Sequence, residues 1–134
     1  MTPPRLIVLL DDKSYGLEQV RRAIPRDMVD RVELRHIDRW SVWQADPPDA
    51  FVVLLDYYLD KDGLEGVDVV GQIRATHLIG FSSVLRCSRS ICELAGQSGN
   101  FRSAHAVQKL DGGLNPRLAD VMIEVLNDDA DDEG

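Results

Sequence analysis

The chain has 134 residues, 44% hydrophobic and 28% charged, an ordinary balance for one globular domain able to bury a sizeable core. A net charge of −8 with no basic stripe argues against nucleic-acid binding, and no apolar run approaches the roughly eighteen residues of a membrane span. The start, Met1 to Arg5, lacks a signal-peptide layout, so a soluble, cytoplasmic protein with no membrane partner is expected. Part of the charge is local. Residues 128–133 hold five of the 23 acids, which leaves 18 acids against 15 bases before them. Residues 127–134 read as a solvated acidic tail after a domain spanning residues 5–126. Cys87 and Cys92 are five apart without a second pair, which supports neither a zinc site nor a disulfide framework.

Leu6–Leu10 is a continuous apolar run, the mark of a buried strand, and it ends in Asp11 and Asp12. Leu17, Val20 and Ile24 then recur at helical spacing up to Pro25, with Ser14 as the expected cap and Glu18 in the first turn. Residues 31–37 alternate as a strand near the sheet edge would. Residues 38–45 predict a short helix with Trp40 packing on the sheet and Trp43 facing solvent, or the reverse. Phe51–Leu55, the second continuous apolar run, leads straight into Asp56. After an acidic, glycine-rich loop over 57–66, Val67, Val70, Ile73 and His77 predict a helix. A fourth strand is predicted over Ser82–Ser88, followed by a short helix around Ile91–Ala95. Ala104–Gln108 is the fifth strand, leading to Lys109. Asn115 and Pro116 open a last helix, whose buried face is Leu118, Val121, Met122 and Val125.

Strands alternating with helices imply right-handed crossovers and a parallel sheet covered on both faces. The expected fold is α/β, a flavodoxin-like doubly wound sheet of five strands in the order 2-1-3-4-5. In that order strands one and three meet at the switch point, where ligands bind beyond the strand ends. Asp11, Asp12 and Asp56 then converge in one crevice. Three close carboxylates repel one another unless a cation joins them, and Mg²⁺ suits carboxylates that leave room for water and phosphate oxygens. Lys109 and Ser88, expected at the same edge, supply an ammonium and a hydroxyl for an anionic oxygen, leaving one carboxylate to attack phosphorus.

The order Asp11-Asp12, Asp56, Ser88, Lys109 resembles the receiver domain of two-component response regulators over about residues 5 to 126. Leu55 to Leu59, continuing through Gly66–Val70 to Ile73 and Arg74, resembles the third strand and following helix of that family. The resemblance implies Asp56 as phosphoacceptor and Asp11, Asp12, Asp56 and the backbone carbonyl of Tyr58 as Mg²⁺ ligands. It implies Ser88 as the switch hydroxyl and Lys109 as the phosphoryl-contacting cation. The phosphoryl donor would be a histidine kinase or a phosphotransfer protein, and the output would be protein contacts with a downstream partner. Chemistry would be confined to self-phosphorylation and its reversal, without turnover of a separate substrate.

Three positions depart from the family. Leu110 follows Lys109 where proline in a cis bond is usual, so a trans bond is expected. Ala106 stands where an aromatic switch residue is usual. Arg89 follows Ser88 where a small residue is preferred, and is expected either to cover the acceptor or to bind the phosphoryl group or an acid. These departures define the alternative, a pseudo-receiver that acts as a constitutive interaction module.

Overall fold

Residues 3–128 are described, in a computed structural model. The predicted tail therefore lies outside the described residues except for Asn127 and Asp128. In chain order the strands are β1 (Arg5–Leu10), β2 (Val32–Ile37), β3 (Ala50–Leu55), β4 (Tyr58–Leu59), β5 (Leu64–Glu65), β6 (Ala75–Ser82) and β7 (Ser103–Gln108). The helices are α1 (Leu17–Ala23), α2 (Trp40–Ala45), α3 (Gly66–Val69), α4 (Leu85–Ser98) and α5 (Pro116–Leu126). Five long strands form one parallel sheet in the order β2-β1-β3-β6-β7, which is the predicted 2-1-3-4-5 once the small β4–β5 hairpin is set aside.

The physical reason for this layering is visible strand by strand. Every residue of β3 is buried, as a central strand covered on both faces requires. On one face Ile7, Leu9, Val52, Leu54, Ile79 and Phe81 pack against Val20 of α1 and Leu118, Val121, Met122 and Val125 of α5. On the other, Val8, Leu10, Val53, Leu55 and Leu78 pack against Trp40, Trp43, Val69, Val70, Ile73, Ile91 and Ala95. Along β2 half-buried and exposed residues alternate, as expected of an edge. Both tryptophans are buried, with stacked rings 6.3 Å apart, rather than one facing solvent. Residues three apart on a helix share a face, and the whole of that face is covered.

The largest departure from the predicted elements falls between residues 67 and 98. The predicted fourth strand over Ser82–Ser88 is instead the end of β6, a two-residue turn and the first turn of α4. The predicted helix through His77 ends early: α3 stops at Val69, a 3-10 turn runs over Val70–Gln72, and Ile73 is extended. His77 lies in β6. The apolar run Leu78-Ile79-Gly80-Phe81 belongs to the real fourth strand of the sheet, disguised by the glycine within it. A side chain at Gly80 would overlap the Ser88 carbonyl, so α4 lies directly on β6 only because that side chain is missing. Ser14 does not cap α1 with its side chain; only its carbonyl accepts a hydrogen bond, from the Leu17 amide at 3.0 Å. Asn115 does cap α5, accepting from the Leu118 amide, with Pro116 in the first turn.

At the amino edge of the sheet the end of the described chain is pinned. His77 Nε2 lies 2.8 Å from Asp128 Oδ2, and His77 Nδ1 shares a 2.6 Å hydrogen bond with the Ser103 hydroxyl. Arg5 donates to the Leu126 carbonyl at 2.9 Å. Among the described residues no helix is long and apolar enough to cross a membrane.

Candidate functional site

The carboxyl edge of the sheet gathers the predicted acids. The β1–β3 and β1–β2 ladders continue one residue past their last strand pairs: the Asp56 amide donates to the Leu10 carbonyl at 3.0 Å and the Asp11 amide to the Ile37 carbonyl at 3.1 Å. These bonds hold Asp11 and Asp56 side by side at the switch point. Asp12 follows at once, its Oδ2 accepting from the Asp60 amide at 3.0 Å. One oxygen of each of the three acids lies within 4.8 Å of the others, and all three residues are buried.

Lys109, past the end of β7, is the positive group among them. It forms a buried ion pair with Asp11 Oδ2, and its Nζ lies 3.4 Å from Asp56 Oδ1. Burial disfavours the ammonium, but Asp11 and Asp56 outweigh it and hold the lysine above its usual pKa. For Asp56 the balance runs the other way. Burial and the neighbouring Asp11 charge overcome the pull of Lys109 and push the Asp56 carboxyl up to about 7. One ammonium does not neutralise three acids. Asp12 Oδ1 is also buried without a hydrogen-bond partner, a costly state for a carboxylate oxygen. An all-oxygen donor set with surplus negative charge and an orphaned oxygen fits a hard divalent cation such as Mg²⁺.

The segment after Asp56 turns back sharply. β4 and β5 pair Tyr58 with Glu65, and Gly66 returns beneath Asp56, its amide donating to the Tyr57 carbonyl at 2.5 Å. A side chain at Gly66 would overlap the Asp56 carbonyl oxygen. Tyr58, whose backbone carbonyl is the expected fourth ligand, therefore sits in a hairpin directly past the acceptor position.

Ser88 does not stand at a strand end. It is in α4, fully buried, and its hydroxyl is inserted into the sheet. The Ser82 amide donates to Ser88 Oγ at 2.8 Å, and Ser88 Oγ donates to the Val107 carbonyl at 2.9 Å. The hydroxyl thus bridges the ends of β6 and β7. The hydroxyls at the carboxyl end of β6 are those of Ser82, buried, and Ser83, exposed. Lys109 donates its amide to the Ser82 carbonyl at 2.8 Å, which fixes both strand ends at one height. Arg89 is on α4 and neither covers the acids nor reaches them. It lines a separate groove of about 620 Å³ between α4, β7 and α5, with Leu85, Cys92, Ala104, Ala106 and Arg117.

Gln19 and Tyr15 escaped the sequence reading. Gln19 is fully buried in α1, and its side-chain amide grips Leu110 from both sides: Nε2 donates to the Leu110 carbonyl, and the Leu110 amide donates to Oε1 at 3.1 Å. Asn115 Nδ2 also donates to Gln19 Oε1 at 2.8 Å. This amide clamp holds the loop after Lys109, whose bond to Leu110 is trans as expected. Gln19→Leu keeps the shape but strands the Leu110 amide and carbonyl. A loss of about 2–4 kcal/mol in chemical denaturation is expected, and a change below 0.5 kcal/mol would rule out the clamp. A lone glutamine on a helix carries no sequence signal for such a role. Tyr15 carried a weak one, as an aromatic in the loop three residues beyond Asp12. Its hydroxyl shares a 2.6 Å hydrogen bond with Ser83 Oγ, and Lys109 Nζ lies 4.8 Å from its ring centre.

Neither a protein-family model nor any curated protein matches the sequence. Solved structures match its fold. The BeF3-activated receiver domain of DrrB from Thermotoga maritima superposes with a TM-score of 0.60 at 14% identity, over 93% of this chain and 99% of that one. A CheY-like response regulator receiver domain protein from Methanospirillum hungatei JF-1 gives 0.61 at 14% identity, over 98% and 99%. The phosphorylated cyanobacterial phytochrome response regulator RcpA gives 0.59 at 12% identity, over 91% of each chain. The chain has the fold of response regulator receiver domains.

Proposed function

We propose that this chain is a phosphorylation-controlled signalling module that accepts a phosphoryl group on Asp56 from a histidine kinase or phosphotransfer protein and acts through protein contacts. The observation that carries the reading is the convergence of Asp11, Asp12 and Asp56 on one buried edge with the Lys109 ammonium among them and one Asp12 oxygen left without a partner. Asp11, Asp12, Asp56 and the Tyr58 carbonyl would hold Mg²⁺, which when bound neutralises carboxylate and phosphoryl charge together. Asp56 Oδ attacks phosphorus, the bond from phosphorus to the donor nitrogen breaks, and the electron pair returns to the donor imidazole. Lys109, already 3.4 Å from Asp56 Oδ1, moves from the carboxylates toward the phosphoryl oxygens. Ser82 or Ser83, at the end of β6, takes the hydroxyl role first expected of Ser88.

The chemistry is confined to this residue and its reversal, and the setting is cytoplasmic, with neither membrane nor nucleic acid as partner. Intact-protein mass after incubation with acetyl phosphate and Mg²⁺ tests the reading, with Asp56→Asn and a chelator as controls. A single phosphoryl adduct is expected, absent in both controls. No adduct together with no Mg²⁺ binding would favour the constitutive interaction module instead.

A further inference from the structure

We propose that Tyr15 is a latch across the mouth of the acid site: its hydroxyl ties the β1–α1 loop to Ser83 at the end of β6, and its ring roofs the Lys109 ammonium, so that it governs access to Asp56. The inference deepens the proposed function and rests on it for the phosphoryl step alone. Four side chains stand close around Lys109 Nζ. Asp11 and Asp56 lie on one side of it, the Phe81 ring centre is 5.5 Å away and the Tyr15 ring centre is 4.8 Å away. Phe81 is fully buried and belongs to the core. Tyr15 is 48% exposed, so of the two rings beside the ammonium it is the one that meets solvent.

Two loops from different parts of the chain meet in the Tyr15–Ser83 bond, 68 residues apart in sequence. An exposed hydroxyl pair at 2.6 Å adds little stability by itself, but it closes the aromatic over the lysine, where a desolvated cation–π contact is strengthened. A bound phosphoryl group competes for Lys109 from below and for the strand-end hydroxyl from the side. Either pull loosens the latch, so the tyrosine links occupancy of the site to the conformation of the β1–α1 loop.

Loss of the phosphoryl group is hydrolysis. Water oxygen bonds to phosphorus as the bond from phosphorus to Asp56 Oδ breaks, the electron pair returns to the carboxylate, and phosphate leaves with the water proton passing to solvent. With the roof removed, water reaches phosphorus more readily.

Two arms test the latch. The first uses the unphosphorylated protein and follows methylation of Lys109 by formaldehyde and a mild hydride reductant, read by peptide mass. Tyr15→Ala is expected to raise the rate about tenfold, whereas Tyr15→Phe keeps the ring and stays nearer wild type. Equal rates in wild type and Tyr15→Ala overturn the latch whatever the fate of Asp56. The second arm follows the lifetime of the acetyl phosphate adduct. Tyr15→Ala is expected to shorten it about tenfold, and Tyr15→Phe, Ser83→Ala and their double variant are expected to shorten it by one smaller, shared factor. An unchanged lifetime in Tyr15→Ala overturns the gating role. Absence of any adduct on the wild type counts against the phosphoacceptor reading, and the first arm still decides the latch.

Discussion

Without added metal, Asp56→Asn is expected to make the protein more stable at pH 8, by about 2–4 kcal/mol. Removal of a charge from the centre of a site ordinarily destabilises when that charge is well paired. Here the ionised Asp56 is poorly compensated: burial and Asp11 push its carboxyl up to about 7 although Lys109 is 3.4 Å away. An aspartate in the unfolded chain titrates near 3.9. Between these values the folded state binds the extra proton, so its stability falls as pH rises from about 4 to about 7 and levels off above. The asparagine variant lacks that proton equilibrium. It is therefore expected to match wild type near pH 4 and to gain on it steadily up to about pH 7. Denaturation midpoints in chelator across this range measure the difference, and a variant equal to or weaker than wild type at pH 8 would sink the account. Millimolar Mg²⁺ is expected to relieve the same repulsion in the wild type, by about 1.4 kcal/mol at tenfold excess over its dissociation constant, and to do little for the variant.

Ser88→Ala is the second large effect, and its sign is opposite. The Ser88 hydroxyl serves the Ser82 amide and the Val107 carbonyl in a fully buried seam. Alanine takes the hydroxyl away from both backbone groups in a place water does not reach. A loss of about 2–4 kcal/mol is expected, a large share of the about 5–15 kcal/mol that holds a typical domain together. Ser90→Ala is the control: that hydroxyl bonds back to the Arg86 carbonyl in its own helix and is partly exposed, so a change within about 0.5 kcal/mol is expected. If Ser88→Ala unfolds no more easily than Ser90→Ala, the hydroxyl is not a structural splice. A merely catalytic hydroxyl would show the reverse pattern, with stability kept and the adduct lifetime altered.

The contrast between Ser88 and Asp56 shows how far the sequence could be read. β1, β3 and β7 declare themselves because each is an apolar or alternating run with a charged residue at its end, and those residues, Asp11, Asp12, Asp56 and Lys109, do meet. β6 does not declare itself. Gly80 interrupts its apolar run and His77 opens it, while Ser88 sits among Cys87, Ile91 and Ala95 on the buried stripe of α4 and hides that stripe's helical period. A strand read over Ser82–Ser88 brings Ser88 to the sheet edge, where Ser82 and Ser83 stand instead. Gln19 and Tyr15 act through partners some seventy to ninety residues away, and no local pattern encodes such contacts. Arg89 follows Ser88 onto α4, where it faces another groove.

The bond from Arg5 to the Leu126 carbonyl has a practical side. It fastens the end of α5 to the amino edge of the sheet, while the three acids occupy the carboxyl edge, and strands of six residues separate the two by roughly 20 Å. A fluorescent protein or affinity handle joined beyond residue 128 would leave from the far pole of the molecule. Labelled this way, the chain could be immobilised with its acidic edge turned toward solution.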